Sequence, residues 1–255
     1  MSFSADWLSA RRDADRRARN PEIANLLAEY FGDQPRAKVL DLGCGTGANL
    51  AETSKLLPAS QNWTMVDNDP ELLSRVAPID GIEIATRDAD LAESLGDLIE
   101  PGHDLVTASA LFDLAGAGFL QHLVDLVTGA NAAFYTVLTY DGHETWSPHN
   151  PDDTAVLRAF HADQHTDKGL GPALGPDATQ FIKSHFEAAG YSVHVAPSNW
   201  ELGQPDDQRL IEMLASGIHD AVAADLGETA QYWFRDRRAA SRVVIGHQDL
   251  LALPR

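Results

Sequence analysis

The stretch Lys38-Val-Leu-Asp-Leu-Gly-Cys-Gly-Thr-Gly-Ala-Asn-Leu50 constrains this chain more than any other. Val39, Leu40 and Leu42 form a short apolar run of the kind buried on both faces of a parallel sheet. Gly43, Gly45 and Gly47 follow at alternate positions. Glycine there reaches positive φ and leaves bare backbone for a ligand to lie against. The pattern then predicts a helix from about Ala48 to Leu57, whose first N–H groups have no partner inside the helix. Strand, glycine turn and helix make the front half of a nucleotide-binding βαβ unit. Three glycines and an acid are more than a plain strand-to-helix turn requires.

What such a loop holds turns on Asp41. Gly43, Gly45 and Ala48 satisfy the dinucleotide fingerprint only loosely, and that fingerprint sets a pyrophosphate on the helix N-terminus. Asp41 stands two residues before the first glycine, where a carboxylate repels a pyrophosphate and attracts a cationic amino group. The pattern Asp41-x-Gly43-x-Gly45-x-Gly47 resembles the first motif of the class I S-adenosylmethionine-dependent methyltransferases. The resemblance implies an α/β fold: a Rossmann-like, doubly wound, mostly parallel seven-stranded sheet with helices on both faces, preceded here by an N-terminal helical segment. It implies S-adenosyl-L-methionine as cofactor, with Asp41, Gly43, Cys44, Gly45, Gly47 and Asn49 around its methionine end.

Further acids fall in phase with that motif. Trp63 to Asp67 reads as the second strand, and Asp67 lies about 20 residues past the loop, where this fold sets an acid on ribose hydroxyls. Asn68 adjoins it, and Asp69-Pro70 reads as a helix cap and first residue. Ile82 to Thr86 reads as the third strand. The resemblance puts Asp88-Ala89 near the adenine, with Asp90 as rival and Asp88 preferred. The stretch 103–113 holds the fourth strand and its loop, where small Ser109 and Ala110 let a cofactor approach the backbone. Asp113 follows as a base or orienting group for the acceptor. Ala132 to Thr139 reads as the fifth strand, ending in a turn at Tyr140-Asp141-Gly142-His143 on the ligand-binding edge. Asp113, Tyr140 and His165 are the catalytic candidates.

The remaining segments bear on the acceptor. Residues 4–31 read as helix broken at Asn20-Pro21. As part of a segment spanning 1–35, they form a lid in the resemblance, with Arg11, Arg12 and Arg19 available to an anionic group. Residues 142–176 are an insertion too long and too rich in glycine and proline for a simple connection. His161 and His165 stand four apart, but Ala162 replaces the glutamate of H-E-x-x-H, so no metal is expected. Helices follow at 177–189, 205–224 and 228–240, and strands at 191–195 and 242–246. The resemblance sets the last strand antiparallel between the fifth and sixth.

A net charge of −19 argues against nucleic acid and anionic membranes as partners. No Asn/Asp-Pro-Pro-aromatic tetrapeptide or Pro-Cys pair follows the fourth strand, which disfavours methylation of nucleobases. With 255 residues, 44% of them hydrophobic, the chain suits one domain over 1–255. Cys44 is the lone cysteine, Met1–Arg19 lacks a signal-peptide core, and no apolar run reaches about 18 residues, so a cytoplasmic protein is expected. The expected activity is methyl transfer to a small-molecule acceptor by a monomer or homodimer. Protein methylation, a nicotinamide-dependent oxidoreductase and a non-catalytic cofactor-binding module are the alternatives.

Overall fold

In the computed structural model, which describes residues 4–255, five parallel strands form one half of a single sheet. They are β1 (Ala37–Leu42), β2 (Gln61–Asp67), β3 (Ile82–Asp88), β4 (Leu105–Ser109) and β5 (Ala133–Ser147), in spatial order β3-β2-β1-β4-β5. β8 (Arg242–Leu253) runs antiparallel beside β5, and β6 (Ser192–Pro197) lies antiparallel on its far side. The strand order reverses between β1 and β4, which opens a crevice at the carboxyl ends of those strands. Residues 1–3 of the expected lid lie outside the described residues.

Both faces of the sheet are covered, as the continuous apolar strands require. Val39, Trp63, Met65 and Leu105 face a core shared with Leu27 and Phe31 of α2 (Pro21–Phe31) and Leu50 of α3 (Ala48–Thr53). Leu40, Leu42, Val66 and Val106 face the opposite core. It holds Leu95 of α5 (Leu91–Leu98), Leu120 and Leu123 of α6 (Ala117–Gly129), and Ile182 and Phe186 of α8 (Ala178–Ala188). Local signals start two helices where expected. Asn20 accepts from the Glu22 N–H at 2.9 Å with Pro21 at the first position of α2. Asp69 does the same for α4 (Pro70–Leu73), accepting from the Glu71 N–H at 2.9 Å. Such caps contribute about 1 kcal/mol each.

Three expectations need correction. The sheet has eight strands rather than seven. The eighth, β7 (Trp200–Gly203), pairs with β8 in the register that β6 began, so β6 and β7 lie end to end on one edge, interrupted at Ser198-Asn199. There the Asn199 side chain replaces a backbone partner for the His247 N–H. Next, β5 does not end at Thr139. It runs to Ser147 through two register shifts, because β8 is twelve residues long and supplies a partner that far. Tyr140 to His143 is therefore an irregularity within a strand, not a terminal turn. Finally, β3 continues to Asp88, two residues beyond the expected end.

The helices α1 (Ala5–Ala18), α7 (Asp153–Gln164), α9 (Gln208–Leu226) and α10 (Glu228–Arg237) complete the chain. α1 packs on β7 and α9, and α7 packs on α9 and β5. These elements close over the carboxyl end of β5. No helix among the described residues is long and apolar enough to cross a membrane.

Candidate functional site

Two adjoining cavities open at the reversal of the strand order. The first is a cleft of about 180 Å³ along the glycine loop, lined by Gly43, Gly45, Asp67, Asn68, Leu72, Ala89, Asp90, Leu91, Ser109 and Ala110. Gly43 and Gly45 sit at φ 62° and 53°, in the left-handed region. A Cβ on Gly43 would come within 3.2 Å of Leu111, and one on Gly45 within 3.1 Å of Leu8. Asp67 anchors the loop: its carboxylate accepts from the Gly45 N–H at 2.8 Å and the Asp69 N–H at 3.0 Å. Burial raises its pKa, while those two donors act against the rise. Two accepted bonds still leave lone pairs on a carboxylate for a further donor.

Asp41 is placed differently. It is fully buried at the end of β1 and is not among the cleft residues. Its Oδ1 accepts from the Asn49 amide at 2.8 Å, and its Oδ2 has no hydrogen-bond partner. The same Asn49 donates to Thr107 at 3.1 Å and accepts from Arg19 at 2.8 Å. Burial raises the Asp41 pKa to about 7 against the pull of Asn49 and Arg19. The carboxylate thus braces the first turn of α3 from behind, and the bare loop in front is what meets the cleft. Cys44 is buried as well, its thiol pKa pushed up by burial and by Asp41 and Asp67. Gly47 begins α3 outside the cleft lining.

At the far rim Ala89 and Asp90 line the cleft and Asp88 does not. The longer β3 carries Asp88 opposite Asp67 in the ladder and moves the carboxyl-end loop two residues on. Asp90 also caps α5, accepting from the Ala92 N–H at 2.8 Å.

The second cavity is larger, about 410 Å³, and mostly apolar. Trp7, Leu138, Phe160, Trp200, Leu214, Ile218 and Ile245 are among its walls. Arg11, Ala110, Leu114 and Lys168 line both cavities, so the two adjoin. Arg11 is held in a bidentate pair with Asp15, at 2.8 and 3.2 Å, and lies 5.1 Å over the Trp200 ring. Lys168 is paired with Asp163 at 2.8 Å.

Asp113 and Tyr140 line this cavity as expected of acceptor-side residues. Burial raises the Asp113 pKa to about 6, against backbone donors and the charge of Arg11. Tyr140 donates to Glu144 at 2.9 Å, and His161 Nε2 lies 3.1 Å from the same hydroxyl. His165 requires correction. It is exposed at the end of α7, turned toward the Ala173 carbonyl at 3.1 Å, and lines neither cavity. One turn earlier, His161 is the α7 histidine that reaches the Tyr140–Glu144 pair. Of the arginines considered for the lid, Arg11 reaches the cavities, Arg12 is exposed and Arg19 sits behind the loop.

Sequence reasoning missed Glu144 and His247. Both lie on strand residues beyond the expected ends of β5 and β8. A signal was present for His247: polar residues 247–249 interrupt an apolar run, as they do where a buried strand meets a site.

No protein-family model and no curated protein sequence matches the chain. Solved structures do. A cyclopropane-fatty-acyl-phospholipid synthase-like protein from Lactobacillus casei superposes with a TM-score of 0.56 at 15% identity, over 99% of this chain and 95% of that one. The cyclopropane synthase MmaA2 from Mycobacterium tuberculosis gives 0.55 at 14% identity, over 98% and 94%. A mycolic acid cyclopropane synthase crystallised with SAH and CTAB gives 0.51 at 14% identity, over 90% and 82%. The likeness is one of fold: the chain has the fold of class I S-adenosylmethionine-dependent methyltransferases.

Proposed function

We propose that the protein transfers a methyl group from S-adenosyl-L-methionine to a small molecule. The observation that carries this reading is that the two cavities adjoin, with Arg11, Ala110, Leu114 and Lys168 lining both. One has a bare glycine loop and an acid at the carboxyl end of the second strand; the other is roomy, apolar and lined by few polar groups, as small-ligand sites are.

The cleft fits the cofactor on its own geometry, since a Cβ at Gly43 or Gly45 would close the cradle. Asp67 accepts from ribose hydroxyls beside Asn68, and Ala89 to Leu91 border the adenine. Gly43, Gly45, Ser109 and Ala110 present backbone to the methionine end, the loop anchored by Asp67 and the helix behind it braced by Asp41 through Asn49. When bound, S-adenosylmethionine supplies a methyl group that passes from its sulfonium sulfur to the acceptor's lone pair, the sulfur keeping the bonding electrons. The walls of the larger cavity orient the acceptor and exclude water, and alignment of this kind lowers a barrier by about 7–11 kcal/mol. Asp113 takes the acceptor's proton where there is one, its raised pKa suiting it to that task.

Thermal melting with S-adenosylhomocysteine or reduced nicotinamide cofactor tests this. S-adenosylhomocysteine at about 100 times its Kd stabilises by about 2.7 kcal/mol and raises Tm accordingly. A rise with the nicotinamide cofactor alone contradicts the proposal and supports the oxidoreductase alternative.

A further inference from the structure

The polar inventory of the larger cavity is lopsided. Its two cations are already matched, Arg11 by Asp15 and Lys168 by Asp163. Beyond these pairs and the Tyr140 hydroxyl, its ionisable groups offer acceptor atoms. Asp113 is buried on the cavity wall, where backbone N–H groups and the more distant charge of Arg11 act on its carboxylate but no described residue forms an ion pair with it. Glu144 lines the same wall, receiving the Tyr140 hydroxyl on Oε1 and the Trp146 indole N–H on Oε2 at 3.0 Å, again without a cation.

His247 adds an independent acceptor. It is 6% exposed and lines the cavity. Its Nδ1 lies 3.1 Å from the Ile245 carbonyl, which can only accept, so Nδ1 carries the proton. Burial and the charge of Arg11 lower its pKa to about 3, which keeps the ring neutral. Nε2 therefore holds a free lone pair, with no hydrogen bond from any described residue. A buried carboxylate without a cation is costly, and so is an unmatched acceptor. Two such carboxylates and an imidazole lone pair along one apolar cavity call for a donor-rich, positively charged group from outside the chain. Tyr140 and Phe160 add aromatic rings to the same cavity wall.

We infer that the acceptor is a small, largely apolar molecule carrying a protonated nitrogen, received by Asp113, Glu144 and His247. This rests on the methyl-transfer reading and narrows its substrate class. An acceptor whose only charge is a carboxylate would meet the acidic wall and is disfavoured.

Binding of three near-isosteric probes, measured by calorimetry without cofactor at pH 7, tests the inference: 2-phenylethylamine, 2-phenylethanol and phenylacetate. The amine binds at least about tenfold tighter than the alcohol, as a charge-assisted hydrogen bond implies, and phenylacetate binds weakest. Glu144→Gln or Asp113→Asn removes the preference while leaving alcohol binding in place. Equal affinity for amine and alcohol, a preference for the acid, absence of binding by all three, or a preference that survives in both variants overturns it. The wild-type comparison alone decides if a variant fails to fold. S-adenosylhomocysteine titrated into the same wild-type sample separates the two readings. Its binding without an amine preference overturns this inference only. An amine preference without its binding overturns methyl transfer and leaves the cavity's selectivity standing.

Discussion

The cleft and the larger cavity meet at Arg11 and Ala110, yet they are built in opposite ways. The cleft floor comes from short pieces at the carboxyl ends of successive strands: the loop after β1, Asp67 and Asn68 at the end of β2, residues 89–91 after β3 and 109–111 at the end of β4. Leu8 and Arg11 of α1 and residues 168–170 are added at its rim. The cavity draws on α1, β5, α7, β7, α9 and β8, so its walls are separated by most of the chain. The cleft is rigid by local geometry, through positive-φ glycines and an acid that bonds the loop. The cavity is rigid only if distant elements pack. A cofactor site of the first kind suits a shared ligand, and a site of the second kind can change its occupant without disturbing the first.

That contrast makes Trp200→Ala the most disruptive test. Trp200 is 3% exposed, walls the cavity, and donates to Asp15 at 3.0 Å. Its loss costs about 3–5 kcal/mol in urea unfolding, while S-adenosylhomocysteine affinity stays within about twofold. A large loss of that affinity would break the separation of the two sites.

Acid stability sharpens the description of the cavity wall. Asp113 has its pKa raised from 3.8 to about 6 by burial, so between these values the folded state holds more protons than the unfolded one. Stability therefore falls as pH rises through that window, by up to about 3 kcal/mol from this group. Asp41, Asp67 and Glu144 are shifted in the same direction, so the informative quantity is the difference from Asp113→Asn. The variant shows a flatter profile from pH 4 to 6; a profile parallel to wild type contradicts the assignment.

In the cleft, Gly45→Val puts a branched side chain at φ 53° and 3.1 Å from Leu8. S-adenosylhomocysteine affinity drops by at least about a hundredfold, with 2-phenylethylamine binding retained. The smallest effect belongs to His165→Ala. The variant loses one partly solvated bond to Ala173, about 0.5–1.5 kcal/mol of stability, and neither ligand's affinity changes beyond twofold.

The same division governs how much the sequence disclosed. Apolar runs, alternate glycines and helix caps are local, so β1, β2, the loop and the α2 and α4 starts are legible in the sequence, while the antiparallel final strand follows only from the family resemblance. Strand ends are not legible, because a strand stops where its partner stops. β8 extends β5 to Ser147 and thereby brings Glu144 inward, and the longer β3 replaces Asp88 by Asp90 at the rim. The spacing of His161 and His165 does not say which of them approaches the Tyr140–Glu144 pair, because that depends on the helix's rotation against β5. An acid before glycines attracts cations, which makes Asp41 a ligand candidate from sequence alone. Its orientation toward Asn49 is a packing outcome that spacing does not encode.

Calorimetric titration of S-adenosylhomocysteine into the wild-type protein and Asp67→Asn tests the central claim most directly. One site per chain is expected in the wild type, with at least about tenfold weaker binding in the variant, whose amide cannot accept through both of its outer atoms. No heat of binding in the wild type, or equal affinity in the two, would contradict it.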